Sequence, residues 1–454
     1  MDTSNKKWKS DPAFIKLCDI VDQDNLICLT GAGISKGLKL KKGGCAPNWK
    51  NLLASIKDKI ISKLSSEEMK DLNDLLSDAA SGEHLIEAAS ILYAKDEKLF
   101  LDTLFDSVNL ETGETSLTHQ RLLQLFPRGI LTYNYDEAHE NAINQGDNIN
   151  DWKIILPVEN NKIIQIIKNN FDKPFLFKLH GSVTDKTSMV LTRESYRDLL
   201  TKYPYYKAFV QQIFTNQQLL ILGFGLSDPD FEMLLQDVFS TFGSPIQEHI
   251  VIKHENEKSS KDIIYKLRYG LHFLYIEDFS DIPDILEECI ITPGNIVNNL
   301  INSCTNSDIT IRSKAHRDVR KLGKIGQMCL AHNLEEYIKN NIAKEQEENY
   351  SLNEQTSEYV YTYGIIAHTT REINYKMFLI DEVINKSIYS EPVAHALVHL
   401  RDILTNDDLS LVESLLKKFN EKELREDPNN PDSNNRISIY CESILYLLKA
   451  KYKL

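Results

Sequence analysis

Six short apolar runs constrain this chain most: Asn25–Thr30 (NLICLT), Arg128–Thr132 (RGILT), Pro174–Leu179 (PFLFKL), Gln218–Gly223 (QLLILG), His249–Lys253 (HIVIK) and Leu271–Ile276 (LHFLYI). Each is bounded by polar residues or glycine, and helix-period stretches separate them. Continuous apolar runs of this length fit strands covered on both faces, and strands alternating with helices specify a parallel sheet. The pattern predicts an α/β fold, a Rossmann-like doubly wound parallel sheet. Ser65–Asn109 carries apolar residues at three- and four-residue spacing over several turns and reads as a small helical insert.

Beyond Pro293-Gly294 the strand-like runs stop. Ile311–Lys344, Glu358–Ile384, Val393–Ile403, Leu409–Lys418 and Ile437–Tyr452 carry helix-period apolar positions separated by polar loops such as EDPNNPDSNN. The expected organisation is an α/β domain over 1–295 and an all-helical domain over 296–454, which fits a chain of 454 residues.

Charge and cysteine usage exclude several classes of function. A formal net charge of −14 sets the surface as a whole against direct binding of nucleic acid or an anionic membrane. The N-terminal stretch lacks the apolar run of a signal peptide, and LLILGFGL, the most apolar run, is far short of a bilayer span. The seven cysteines are scattered without a Cys-x-x-Cys pair, the usage of reduced thiols in a cytosol; a cytoplasmic protein is expected.

Four segments at the ends of successive runs carry chemistry. Gly31-Ala32-Gly33-Ile34-Ser35 follows the first run, and a glycine turn between a strand and a helix lets backbone N–H groups approach a pyrophosphate. It also serves as a tight turn without a ligand. Thr132-Tyr133-Asn134-Tyr135-Asp136 places Asn134 and Asp136 on one side of an extended segment, with Asp136 equally suited to cap the helix expected over Asp136–Ile143. Lys178-Leu179-His180-Gly181-Ser182 contributes a histidine, a residue that also serves as a structural hydrogen-bonding group. Gly223-Phe224-Gly225-Leu226-Ser227-Asp228 repeats the glycine pattern, with a helix expected near Pro229. All four converge on the carboxyl edge of one sheet, where open α/β sheets bind ligands. Elsewhere, His395 and His399 are spaced i, i+4 without a third ligand, so no metal site is expected. Tyr203, Tyr205, Tyr206 and Phe209 suit core packing, a lid or an oligomer contact.

Taken in order, the Gly-Ala-Gly-Ile-Ser turn, the Asn-x-Asp segment, the Leu-His-Gly segment and the Gly-x-Gly-x-Ser-Asp segment resemble the sirtuin (silent information regulator) NAD-binding fold across roughly Asn25 to Phe279. The resemblance implies NAD over the Gly31–Ser35 turn, with Asn134 and His180 beside the nicotinamide ribose. Two features depart from the protein-deacylating sirtuins. No cysteine lies between Cys45 and Cys289, so their four-cysteine zinc module has no counterpart, and Gly44-Cys45-Ala46-Pro47-Asn48-Trp49 stands where they carry Pro-Asp-Phe-Arg. The Pro-x-Trp segment, the Asn-Tyr-Asp form and the Ser-Asp-Pro after Gly225 are similar instead to the sirtuin-like effector domains of bacterial antiphage defence, which hydrolyse NAD.

That resemblance implies an NAD glycohydrolase, with NAD as substrate and no metal. The expected catalytic residues are Asn134, His180 and Asp136. Gly31, Ala32, Gly33, Ser35, Thr132, Gly223, Gly225, Ser227 and Asp228 are expected to hold the nucleotide. Cleaving nicotinamide from ribose passes through an oxocarbenium-like state with a good leaving group, so positioning and electrostatics suffice. The helical domain is expected to form a homo-oligomer or dock a separate sensor, such as a HerA-type DNA-translocating ATPase. The alternatives are an NAD-dependent protein deacylase and a non-catalytic scaffold that senses NAD or ADP-ribose.

Overall fold

The computed structural model describes residues 6–333 apart from 78–80, 147–151, 169–172, 227–228, 305, 307 and 320. Among these, seven strands form one sheet: β1 (Leu26–Thr30), β2 (Gly129–Thr132), β3 (Lys153–Ile155), β4 (Phe175–Lys178), β5 (Gln218–Leu222), β6 (His249–His254) and β7 (Leu271–Ile276). Their order is β3-β4-β2-β1-β5-β6-β7, and every neighbouring pair is parallel. The expected doubly wound α/β class is what the chain adopts.

The central strands are covered on both faces; all five residues of β1 and all four of β2 and of β4 are buried. Burying both faces of a parallel strand requires helices above and below, which the alternating connections supply. One face is closed by Phe175, Phe177, Tyr206, Phe209 and Ile213, all essentially inaccessible, so Tyr206 and Phe209 are core residues while Tyr205 is exposed. Each such side chain contributes roughly 1.5–3 kcal/mol by leaving water.

The seventh strand, β3, was not expected. It has three residues, borders the sheet edge and has a single fully buried residue, Ile155, so no apolar run marks it. The helical insert also begins earlier than the expected Ser65. Trp49–Ile60 precedes Ser66–Leu75, Gly82–Lys95 and Glu97–Val108, and Leu53, Ile56, Leu72, Ala89, Leu92 and Phe100 form one buried cluster. Asn48 starts that first helix: its side chain accepts from the Asn51 backbone N–H at 2.8 Å.

The chain divides into two compact units, Met1–Cys289 and Ile290–Leu454. This division falls six residues before the expected boundary at 295, which lies at the first residue of a helix, Asn295–Cys304. In the second unit Ile309–Val319 and 324–333 are also helical, and the helices expected farther on, with His395 and His399, lie outside the described residues. Among the described residues no helix is long and apolar enough to cross a membrane.

Candidate functional site

Strand order makes the site. From β1 the chain builds one half of the sheet with β2, β3 and β4, then returns beside β1 with β5 and builds the other half. The turns after β1 and β5 therefore lie at the switch point, where open α/β sheets receive ligands.

These two turns are pressed together. Gly31 N–H donates to the Leu222 carbonyl at 3.1 Å and Gly33 N–H to the Gly223 carbonyl at 2.9 Å. A Cβ on Gly33 would stand 2.7 Å from Gly223 Cα, and one on Gly223, whose φ is +61°, would stand 2.5 Å from the Ile34 nitrogen. Both positions need glycine because backbone fills the space a side chain would take. The element after Gly31 also corrects an expectation: Ala32–Ser35 is a single 3-10 turn, and the next α-helix waits until Trp49. Gly37, at φ +90°, follows that turn and directs the chain away from a helix. A long helix dipole is thus absent at this turn, and the N–H groups of Gly31, Gly33 and Ile34 are engaged by carbonyls of the two turns and of β5.

Asn134 ties the second segment to this turn. Its amide nitrogen donates to the Gly31 carbonyl at 3.2 Å and to Ser35 Oγ at 3.0 Å, and its backbone N–H reaches Thr132 Oγ1 at 3.2 Å. Asn134, Ser35 and Thr132 are all buried. Asp136 is buried beside them: one carboxylate oxygen accepts from Ala138 N–H at 3.0 Å, and the carboxylate also bonds Ser35. Burial pushes its pKa up, against the nearby Lys178 ammonium and these hydrogen bonds. The helix it supports is Ala138–Gln145, slightly later than expected.

Lys178 interrupts the apolar run Pro174–Leu179 at the end of β4 and has a role that its sequence position alone does not announce. Its side chain is fully buried, and its ammonium donates to the carbonyls of Tyr135, at 3.3 Å, and Asp136, and pairs with Glu140 at 2.7 Å. A buried cation placed on two consecutive carbonyls fixes the path of the Asn134–Asp136 segment. A lysine inside an apolar run was the available signal.

His180, at the end of β4, is buried among aromatic rings: edge-on to Tyr133 at 4.5 Å and to Tyr196 at 5.0 Å. The turn after it needs Gly181, at φ +85°, where a Cβ would meet the Ser188 carbonyl oxygen at 2.2 Å. Below the site, Thr30 Oγ1 meets His139 Nε2 at 2.8 Å, and His139 packs edge-on to His119 at 4.6 Å. Burial holds both imidazoles neutral, His119 pushed down to about 4 and His139 well below its usual value.

On the other side of the switch point lies a cavity of about 910 Å³. Gly33, Gly223, Phe224 and Gly225 line it, as do Lys253 and Asp262. Asp262 accepts from Lys253 at 2.9 Å, from Ser259 N–H at 2.9 Å and from the Tyr275 hydroxyl at 2.8 Å, which fixes the ammonium at the end of β6. This volume lies at the upper end of the range for small-molecule sites. The structure thus gathers Gly31, Gly33, Ser35, Thr132, Asn134, Asp136 and Gly223 around one point, with His180 beyond the Tyr133 ring. Ala32 and Gly225 are exposed at the rim, and Ser227 and Asp228 lie outside the described residues.

A parallel sheet with paired glycine turns at its switch point and a cavity against them is the arrangement of a Rossmann-like α/β domain. Residues 128–274 match the SIR2-like domain family. Over 199 residues, 39% of the chain, it is 26% identical to the NAD(+) hydrolase ThsA of Enterococcus faecium, covering 40% of that protein. It is 24% identical over 263 residues to the protein of the same name from Bacillus cereus, covering 50% of it, and 24% identical over 230 residues to defense-associated sirtuin 2 of Bacillus subtilis, covering 22%. The matches thus span half or less of these relatives.

Proposed function

We propose that this protein is an NAD glycohydrolase, cleaving NAD to nicotinamide and ADP-ribose as the NAD-depleting effector of a bacterial antiphage system in the cytoplasm. The observation that carries the reading is the buried Asn134–Ser35–Asp136 cluster, locked to the Gly31 carbonyl beside a cavity of dinucleotide size. The names of the relatives, NAD(+) hydrolase and defense-associated sirtuin, point to the same chemistry.

The pyrophosphate lies on the backbone of the two glycine turns, with the adenosine half along the Lys253 wall. His180 polarises a ribose hydroxyl as the bond from C1′ to the nicotinamide nitrogen breaks and positive charge develops on the ribose. Asn134 orients the ribose and the attacking water, which delivers hydroxide to C1′ and releases a proton. Each of these contributions is worth about 10²- to 10⁴-fold. Asp136 is a positioning residue, since its carboxylate is already engaged by the Ala138 N–H and Ser35. The helical unit restrains the hydrolase by homo-oligomerisation or by docking a separate sensor, a HerA-type ATPase being one such partner.

The test is chromatography of NAD incubated with wild type, Asn134→Ala and His180→Ala. Nicotinamide and ADP-ribose are expected from wild type, with at least 100-fold less from each variant. An unimpaired variant overturns the residue assignment, and nicotinamide released solely in the presence of an acetylated peptide makes the protein a deacylase.

A further inference from the structure

Asn134 and Asp136 both reach Ser35, and the residue between them reaches the other way, to the loop that follows β4. The Tyr135 hydroxyl donates to the Val190 carbonyl at 2.6 Å. Val190 in turn donates its own N–H to the His180 carbonyl at 2.9 Å, so the tyrosine grips the residue that is bonded to the histidine backbone. A second tie is made by the Tyr135 carbonyl, which accepts from the Val183 N–H at 2.9 Å. Between these two points the loop is closed on itself, the Ser182 N–H donating to Ser188 Oγ at 3.1 Å. One residue of the Asn134 segment thus holds the loop that carries His180 at two places.

The ring that bears the hydroxyl is supported from behind. Tyr135 packs with Trp49, Met189 and Leu191 on the buried cluster of the helical insert, its ring centre 6.3 Å from that of Trp49 and 6.5 Å from that of His180. Val190 is buried, so water is poorly placed to replace the hydroxyl on its carbonyl. Tyr135 is not among the residues that line the cavity, and its ties end at the loop of His180.

We propose that Tyr135 is a positioning residue for the hydrolysis, its hydroxyl fixing His180 against Asn134 so that both meet one ribose. The inference rests on the NAD reading and adds to it how two groups on separate segments are held at one spacing. It also gives the helical insert a part in the chemistry, since the insert backs the ring from which the hydroxyl reaches. A misplacement of about 1 Å in a polarising group costs up to about 100-fold in turnover, while recognition contacts elsewhere on the substrate stay as they are. In this assignment Tyr135 acts through His180 and touches no reacting atom.

Steady-state NAD hydrolysis by the full-length chain tests this with wild type, Tyr135→Phe, His180→Ala and the double variant, rates being referred to the folded fraction read by circular dichroism. Tyr135→Phe keeps the ring on the insert and removes the hydroxyl; it is expected to lower kcat about tenfold and leave KM within twofold. On the His180→Ala background the same change is expected to cost less than twofold, because the group it positions is gone. Tyr93→Phe removes a hydroxyl bonded to Glu97 at 2.6 Å, elsewhere against the same insert cluster, and is expected to leave both constants within twofold of wild type. An unchanged kcat in Tyr135→Phe, a loss carried by KM, or an equal loss with and without His180 overturns the proposal while leaving the NAD reading intact. Wild type that releases no nicotinamide removes the NAD reading, and this inference with it.

Discussion

The two sides of the switch point are built in opposite ways. On the side of β2 and β4, polar groups are buried and tied to one another: an ammonium on two carbonyls and a carboxylate, an amide on a carbonyl and a hydroxyl. On the side of β5 and β6, a cavity of about 910 Å³ opens and its Lys253–Asp262 pair reaches the wall. The first arrangement fixes geometry and the second accepts a ligand. A dinucleotide whose reactive end is small and whose recognition end is large matches this division, because preorganised groups stabilise charge best where water is excluded.

The contrast predicts that changes on the closed side alter stability and turnover together, while changes on the open side alter binding. The largest effect is expected for Lys178→Met, which leaves Glu140 without its cation and two carbonyls without their donor. A loss of about 3–5 kcal/mol is expected in urea denaturation. A loss under 1 kcal/mol would move Lys178 out of the closed framework.

Acidification comes next. His119 and His139 are neutral in the fold with pKa values depressed by burial, while the unfolded chain protonates them near 6.5. Stability is therefore complete above about pH 6.5 and falls as pH drops toward the folded values, by about 1.4 kcal/mol per pH unit for each imidazole. His249, pushed down to about 3 by burial, adds to the loss. Asp136, raised by burial, acts in the opposite sense, gaining stability as pH falls through the carboxylate range. Urea midpoints measured from pH 7 to 5 should hold above about pH 6.5 and decline below it, and a flat profile would contradict neutral burial of the pair.

A smaller loss, about 1–3 kcal/mol, is expected for Gly33→Ala, because the added methyl meets the backbone of Gly223. Thermal melting reads it. The smallest effect on turnover belongs to the open side: Lys253→Met should raise KM for NAD about 3- to 10-fold and leave kcat within twofold, since Lys253 lines the cavity away from the Asn134 cluster. A drop in kcat instead would show that the two sides are not separable.

Much of this division was legible in the residues. The glycine turns, Asn134 and His180 stand at ends of apolar runs, and a run of buried residues announces a strand whose end is the ligand edge. What escaped had no such signature. β3 is too short and too exposed for its pattern to rise above a loop. The helix from Trp49 is hidden because Pro47-Asn48-Trp49 resembles a family segment, while Asn48 is also a helix-starting residue. The role of Lys178 depends on Glu140 and two carbonyls that converge solely in the folded chain. The ring contacts from Phe224 through Tyr133 to His180 join three separate segments, and no local spacing encodes them.

The interlocked glycine turns have a consequence for how such a chain can drift over generations. Gly33 and Gly223 each occupy room that a methyl on the other turn would need, so a change at either site is opposed by a neighbour far away in sequence. If one turn has already backed away to admit a methyl, the second substitution meets less resistance, and the two penalties do not add. The two positions are therefore coupled: the loss in a Gly33→Ala, Gly223→Ala double variant is expected to be smaller than the sum of the two single losses.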